Sequence, residues 1–252
     1  MLIPLLLVID NSFKDQYQAA AMQLDFPKAF HFENYINVIE KGKLIQAFLN
    51  SLLYAVVSVA IGVVVTSMAA YVMARNKTKL NNFLYFFIVL GMAMPINYIT
   101  LTKVMQLTGL MNTQIGLILI YTASSIPFSV FLLYGFIGTI PRDLDEAGII
   151  DGCSTFRLFI TIVFPLLKPV VVTLIILNFL NTWNDFINPL YFLSSSAKWP
   201  MTLAVYNFFG RYQNQWHLVS ADVVLTCVPV IILYLLGQKY IISGMTAGSV
   251  KG

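Results

Sequence analysis

Apolar residues occur in long runs along the chain, separated by shorter polar stretches. A bilayer core of ~30 Å requires about 20 apolar residues in helical form, so each sufficiently long run predicts a membrane span. The runs that qualify are 47–74, 83–103, 115–138, 168–191 and 219–242. The pattern therefore predicts an all-α, polytopic membrane protein.

A further apolar run, Met1–Ile9, would cover only about 14 Å as a helix and leads into the polar string Asp10–Lys14. It has neither the basic flank nor the small-residue cleavage site of a signal peptide. We expect it to be the end of a truncated first span, which gives about six transmembrane helices in total. The predicted organisation is a partial helix with an external segment at 1–44, a transmembrane domain at 45–243 and a short tail at 244–252.

Composition supports this class and excludes others. The chain is 58% hydrophobic and only 10% charged, whereas soluble domains are about 45–50% apolar and about 25% charged. A soluble enzyme, a disordered chain and a nucleic-acid binder are all excluded on this basis. The sequence contains no P-loop, no G-x-S-x-G and no H-E-x-x-H string, and its two cysteines and two histidines match no metal-binding spacing. We therefore predict no catalytic residue, no metal site and no cofactor.

The segment 139–167 is too polar to span a membrane, yet its pattern indicates ordered structure. Pro141 suits the start of a helix, Gly152 suits its end, and Ser154 suits the cap of a second helix that Pro165 and Pro169 should break. Acids favour helix N-termini, and Asp143, Asp145 and Glu146 follow Pro141. An apolar face at helical spacing comprises Leu144, Ala147 and Ile150. We predict a helix–turn–helix on the membrane surface, which either only connects two spans or docks a soluble partner.

A resemblance to a known family favours the docking role. The string Glu146-Ala147-Gly148-x3-Gly152, followed after nine residues by Ile162-x-Phe164-Pro165, is similar to the EAA loop of permease subunits of binding-protein-dependent ABC importers. Gly148 and Phe164 depart from that pattern, which has Ala and Leu, but keep its small or apolar character. Further strings resemble the carbohydrate-uptake, maltose-permease-like branch: F-E-N-Y (32–35), A-A-Y-V-M-A-R (69–75), T-G-L-M-N-T (108–113), I-P-F-S-V-F-L-L (126–133), W-N-D-F (183–186) and A-G-S-V-K-G (247–252).

The resemblance implies a type I ABC importer permease in a bacterial plasma membrane, with loop 139–167 and the C-terminus in the cytoplasm. It implies that Glu146 pairs with an ATPase subunit and that Gly152 supplies the turn. The residues expected to couple to the ATPase are Glu146, Ala147, Gly148, Asp151, Gly152 and Pro165. The implied partners are a second homologous permease, two ABC ATPase subunits that hydrolyse the ATP, an extracytoplasmic solute-binding protein and membrane lipid.

Polar residues inside the predicted spans indicate either a solute path or hydrogen-bonded helix contacts, because lipid tolerates neither charge nor unpaired amides. One helical face is predicted in run 168–191, with Asn178, Asn181, Thr182 and Asp185. A second candidate face has Thr122 and Ser125. In run 47–74, the small residues Ser58, Gly62, Thr66 and Ala70 recur every four positions, which favours close helix packing.

The aromatic loop 192–218 either forms an interfacial belt or, as the resemblance implies, docks the binding protein through Tyr206, Arg211 and Tyr212. The function that the resemblance implies is ATP-driven, alternating-access import of a carbohydrate, specifically an oligosaccharide. The alternative is a secondary transporter coupled to H⁺ or Na⁺, which would require carboxylates near the midplane and usually has internal repeats. Asp185 is the one carboxylate that would suit such coupling, and we find no repeat.

Overall fold

The computed structural model describes residues 2–209 and 214–247, together with their side chains except those of 240–247. Fourteen α-helices occur in this part of the chain: α1 Leu2–Ser12, α2 Gln16–Ala20, α3 Glu33–Lys41, α4 Leu44–Arg75, α5 Lys79–Leu90, α6 Tyr98–Leu107, α7 Gln114–Ile137, α8 Asp143–Ile150, α9 Thr155–Leu158, α10 Phe164–Leu166, α11 Lys168–Asn184, α12 Ile187–Phe192, α13 Met201–Ala204 and α14 Trp216–Ala247. A π-helical turn, Phe159–Val163, joins α9 to α10. The described residues contain no β-strand, and Phe209 and Asn214 form an isolated β-bridge. The all-α prediction is therefore confirmed.

Helices α4, α7 and the part Trp216–Lys239 of α14 are each long and apolar enough to cross a membrane. Their bounds confirm the spans predicted at 47–74, 115–138 and 219–242 to within a few residues. Helix α4 has 32 residues without an internal proline. Helix α7 tolerates Pro127 in its interior, because neighbouring helices can satisfy the carbonyl that a proline frees. A bent pair, Thr155–Leu166 and Lys168–Asn184, with an angle of 76° between them, passes the same test together and is either a broken span or a re-entrant loop. The described residues thus contain three spanning helices, or four if this pair is one span.

The prediction of one continuous helix over 83–103 is wrong. Helix α5 ends at Leu90 and α6 begins at Tyr98, and the stretch between them contains Gly91 and Pro95. Gly91 follows the last residue of α5 with a φ of −57°; glycine is a weak helix former, and the residue before a proline is disfavoured in the helical region. Hydropathy remains high across such a break, which explains why the apolar run looked continuous.

The prediction of one helix over 168–191 is also wrong, because α11 ends at Asn184 and α12 begins at Ile187. Pro189 has no N–H to donate to the carbonyl of Asp185, four residues earlier. The hydroxyl of Thr202 donates to that carbonyl instead, at 2.8 Å. The Asp185 carboxylate accepts hydrogen bonds from the backbone N–H groups of Ile187 and Asn188, both at 3.2 Å. Asp185, one residue before the N-cap Phe186, therefore satisfies the first N–H groups of α12 with its carboxylate and does not continue the face of α11.

The chain divides into two compact units. One comprises Met1–Tyr54, Met105–Leu117 and Thr182–Leu233, and the other comprises Ala55–Val104, Ile118–Asn181 and Tyr234–Gly252. In the second unit, apolar residues of α4, α7, α9, the π-helical turn and α11 form a buried cluster that includes Leu133, Leu158 and Leu174. This cluster supports the helix–turn–helix segment described below.

Small residues allow close packing in this second unit, as predicted. Ser58, Gly62, Thr66 and Ala70 are all buried. A Cβ atom added to Gly62 would lie 3.0 Å from Oγ of Ser125 on α7. This distance is shorter than most Cβ contacts in proteins, so Gly62 lets α4 and α7 pack closely, and the small-residue stripe of α4 is a packing surface.

Candidate functional site

The segment between α7 and α11 forms the predicted helix–turn–helix. Helix α8 has Asp143, Asp145 and Glu146 in its first turn. It ends in a Schellman motif, because Gly152 N donates to the Ile149 carbonyl at 3.0 Å and Cys153 N donates to the Gly148 carbonyl at 2.9 Å. Gly152 has a φ of +79°, a value that glycine adopts without steric cost. The prediction that Gly152 forms the turn is confirmed.

Ser154 caps the second helix, as predicted, by accepting a hydrogen bond from Arg157 N. The prediction that Pro165 breaks this helix is wrong. The chain stays helical through Leu166 and bends only at Leu167. A proline lacks the N–H that would bond to the carbonyl four residues earlier, and the π-helical turn Phe159–Val163 directly before α10 changes the hydrogen-bond register at this point. Pro165 thus lies within the second helix and exposed.

Helix α8 buries its polar side and exposes its apolar side. Asp145 and Gly148 are the buried residues, and a Cβ on Gly148 would lie 3.0 Å from side-chain atoms of Leu158 and Ile162. On the other side, Ile149 is 64% exposed and Ile150 is 85% exposed. We call this exposed side the outer face; it comprises Leu144, Glu146, Ala147, Ile149 and Ile150.

An ion pair holds α8 in this orientation. Oδ2 of Asp145 lies 2.7 Å from Nε of Arg75, the last residue of α4. The hydroxyl of Tyr71 donates to Oδ1 of Asp145 at 3.1 Å, and Nη1 of Arg75 donates to the Ile140 carbonyl at 3.1 Å. The sequence analysis did not predict that Asp145 points inward or that Arg75 and Tyr71 bind it. Tyr71 and Asp145 are 74 positions apart, and helical periodicity describes only neighbours within one helix.

The predicted polar stripe does not act as one face. Asn178 is buried and donates to Oγ of Ser129 at 3.1 Å, so the structure places it in a hydrogen-bonded contact between α11 and α7. Asn181 is exposed and Thr182 is half-buried. Asp185, as described, lies beyond the end of α11.

The second candidate face, Thr122 and Ser125, also bonds largely within its own helix. Thr122 is buried and donates to the Ile118 carbonyl at 2.9 Å. Ser125 is half-buried and donates to the Thr122 carbonyl at 2.8 Å. Of the six residues proposed to line the path, Asn181 is the one with an exposed side chain in this structure.

The loop after α12 is held by hydrogen bonds to residues of α4 within the first unit. Nδ2 of Asn50 donates to the carbonyls of Ala197 and Trp199 at 3.0 and 3.1 Å, and the Tyr54 hydroxyl donates to the Lys198 carbonyl at 2.7 Å. Tyr206 is exposed and stacks on Phe186, with ring centroids 5.6 Å apart. Arg211 and Tyr212, the other predicted docking residues, lie outside the described residues, as does the tail from residue 248.

Comparison with known proteins decides the family. Residues 62–246 match the family described as binding-protein-dependent transport system inner membrane component. The chain belongs to this family. It is therefore a multi-pass membrane permease and a transport component, and the resemblance seen in the EAA-like string is confirmed.

Individual relatives of this permease match over nearly the whole chain. The melibiose/raffinose/stachyose import permease protein MelC of Bacillus subtilis is 35% identical over 253 residues, covering 99% of this chain and 91% of MelC. The probable starch degradation products transport system permease protein AmyC of Thermoanaerobacterium thermosulfurigenes is 32% identical, covering 98% and 91%. The multiple sugar-binding transport system permease protein MsmG of Streptococcus mutans is 36% identical, covering 100% and 92%.

A solved structure shares the fold of this permease. A chain in the crystal structure of a bacterial ABC transporter involved in the import of the acidic polysaccharide alginate superposes with a TM-score of 0.82, covering 94% of this chain and 89% of that chain at 20% identity. The predicted ABC importer permease fold is thereby confirmed. The ion-coupled secondary transporter is not supported.

Proposed function

We propose that this chain is a permease subunit of an ATP-driven importer for a carbohydrate, specifically an oligosaccharide. The names of relatives that match over nearly its full length support this substrate class, because they describe permeases for melibiose, raffinose and stachyose, and for starch degradation products. The working complex contains a second, homologous permease, two ATPase subunits and an extracytoplasmic solute-binding protein.

The observation that carries this proposal is the outer face of α8. A short helix that directs its apolar residues into water is unfavourable unless a partner covers them, since burial of one Ile side chain is worth about 1.5–3 kcal/mol. Glu146 stands within this apolar surface and is exposed. An acid surrounded by apolar residues fits a basic residue at the centre of a pocket on an ATPase subunit, where partial desolvation strengthens the charge pair.

In the proposed mechanism, alternating access depends on the way α8 is held. The ATPase subunits close when they bind ATP and carry α8 with them. The Asp145–Arg75 ion pair joins α8 to the end of the α4 span, so that displacement of α8 is transmitted to the transmembrane helices. In the membrane orientation that we propose, the helix–turn–helix and the C-terminus lie in the cytoplasm. The loop after α12 lies outside the cell, where Tyr206, Arg211 and Tyr212 contact the binding protein.

Substitution of Glu146 tests the docking role. Glu146→Ala should weaken the affinity for the ATPase subunit about 10- to 150-fold, measured by co-purification, because a charge-assisted hydrogen bond is worth about 1.5–3 kcal/mol. Asp143→Ala is the matched control, since Asp143 is also exposed and lies in the same first turn. Equal effects of the two substitutions would contradict a specific role for Glu146. Uptake of labelled oligosaccharides, with amino acids for comparison, then tests the substrate class.

A further inference from the structure

A basic pocket in the second unit has no role in the function proposed above, apart from Arg75 in its lining. It has a volume of about 250 Å³ and is lined by Ala74, Arg75, Lys77, Gly138, Thr139, Ile140, Pro141 and Arg142. Three of these residues are cations and none is an acid. The pocket brings together the end of α4 with Lys77 and the segment after α7, although the two are far apart in sequence.

Two of the three cations are available to a ligand. Arg75 is engaged by Asp145, at 2.7 Å. Lys77 is exposed and forms no ion pair within residues 2–209 and 214–239. Arg142 is exposed and makes a long hydrogen bond of 3.4 Å to the Arg75 carbonyl. Lys77 and Arg142 therefore give the pocket a net positive charge of about two, which attracts an anion.

The position of the pocket indicates which anion it would meet. Its lining begins where two membrane spans end, at Arg75 of α4 and at Ile137 of α7. Helix α7 has 24 residues, or about 36 Å, which is only slightly longer than a hydrocarbon core of ~30 Å. Residues 138–142 therefore lie at the depth of the lipid headgroups. Basic pockets between transmembrane helices at this depth bind anionic headgroups.

Apolar residues next to the pocket can accept an acyl chain. Val72 and Met68 are exposed on α4, about one and two helical turns before the lining residue Arg75. A headgroup phosphate held by Arg142 and Lys77 would leave its acyl chains free to run along this side of α4. A guanidinium can bind two phosphate oxygens at once, and an ammonium supplies a compact charge beside it.

We propose that this pocket binds the phosphate of an anionic phospholipid headgroup, at the junction between the α4 and α7 spans and the helix–turn–helix. The site does not depend on which solute is transported. It places a lipid next to Arg75, the residue that joins α8 to α4.

The proposal is tested by measuring the thermal unfolding midpoint of the detergent-purified full-length chain. Phosphatidylglycerol, phosphatidylcholine or inorganic phosphate is added to it in separate titrations. Phosphatidylglycerol should raise the unfolding midpoint of the unchanged protein. Because each cation near an anionic surface contributes about a fivefold change in affinity, Lys77→Gln with Arg142→Gln should weaken the apparent affinity about 25-fold. Lys77→Arg with Arg142→Lys should retain it.

Lys79→Gln with Lys103→Gln is the matched control, because both lysines are exposed, lie outside the pocket lining and change the net charge equally. Equal weakening in this control would overturn the proposal, as would phosphatidylcholine binding as tightly as phosphatidylglycerol. If inorganic phosphate gave the same midpoint shift as phosphatidylglycerol, the pocket would be a site for a soluble anion, and the proposal of a lipid site would be overturned. If the double glutamine variant does not fold, the single substitution Lys77→Gln tests the proposal. The Lys77 side chain is exposed, and its loss should weaken the apparent affinity for phosphatidylglycerol about fivefold.

Discussion

Arg75 and Asp145 form an ion pair beneath the outer face of α8, with Nε of one 2.7 Å from Oδ2 of the other. Each side chain is only 13% exposed. The pair turns the acid of α8 inward, so that the apolar residues on the opposite side of the helix face outward. The direction of the outer face therefore depends on a residue at the end of α4.

Breaking this pair should destabilise the protein. Arg75→Ala leaves Asp145 largely buried without its charge partner, which should lower the free energy of unfolding by about 3 kcal/mol. Arg75→Asp combined with Asp145→Arg should recover part of the loss, because the pair is restored with reversed charges. Thermal unfolding in detergent measures both. Arg157→Ala on α9 is the control, since Arg157 is exposed, and an effect as large as that of Arg75→Ala would contradict the specific pair.

Gly152→Ala should destabilise the turn after α8. The φ of +79° at Gly152 costs a residue with a Cβ about 1 kcal/mol, and the cause is the backbone alone because no atom lies within 4 Å of the added Cβ. Hydrogen exchange of residues 143–158 should report faster opening. Gly135→Ala in α7 also adds a Cβ that meets nothing within 4 Å, and it should have little effect. Unchanged exchange in Gly152→Ala would show that the turn is not strained.

Asn178 and Asn181 should behave differently, although both were predicted to line the solute path. Asn178→Ala removes the bond to Ser129 and should lower stability by about 0.6–2 kcal/mol, while uptake per folded molecule stays unchanged. Asn181→Ala should leave the unfolding midpoint unchanged and reduce uptake, because its amide is exposed. If Asn178→Ala reduced uptake while stability stayed normal, Asn178 would have to be counted again among the residues that line the solute path.

The segment between α1 and α3 should detach in acid. Lys14 is buried and bonds to Asp25 at 2.6 Å, and this bond holds the pKa of Asp25 below its usual 3.8. Burial of the ammonium opposes the charged form, but the bonds to Asp10 and Asp25 outweigh it and raise the pKa of Lys14 above 10.5. The stabilisation is present above the unfolded pKa of the carboxyl and is lost as pH falls through the lower, folded value. On the alkaline side it is lost as pH rises through the raised pKa of the lysine.

Limited proteolysis of residues 15–30 measures this release, which should begin below about pH 4. Lys14→Met should be cleaved to a similar extent at about pH 3 and pH 7, because the charge partner is absent. Lys28→Met serves as the control, since Lys28 is exposed and should leave the acid dependence in place. Acid-dependent cleavage that persists in Lys14→Met would mean that another group controls the segment.

Sequence predicted best those features that depend on local chemistry. The α4 and α7 spans follow directly from uninterrupted apolar runs, and the Schellman end of α8 follows from Gly152. The break between α11 and α12 was missed because it depends on Thr202, which bonds to the carbonyl that Pro189 leaves free. A hydropathy pattern contains no information on such a distant donor.

The candidate site was predicted in position but not in orientation. Periodicity identified Leu144, Ala147 and Ile150 as one face of α8, but whether a helix face is buried depends on the partners available to the opposite face. Arg75 and Tyr71 provide those partners for Asp145. Likewise, Asn178 was consistent with either a path or a helix contact until Ser129 was seen beside it.

The outward direction of Ile149 and Ile150 has a consequence for the cell. Proteases and chaperones recognise exposed apolar segments, so a copy of this permease made without its ATPase would display a degradation signal. In the proposed complex, the two side chains that contact the ATPase would then also mark unassembled permease for removal. Through them, the amount of permease in the membrane would follow the supply of the ATPase, without any dedicated regulator.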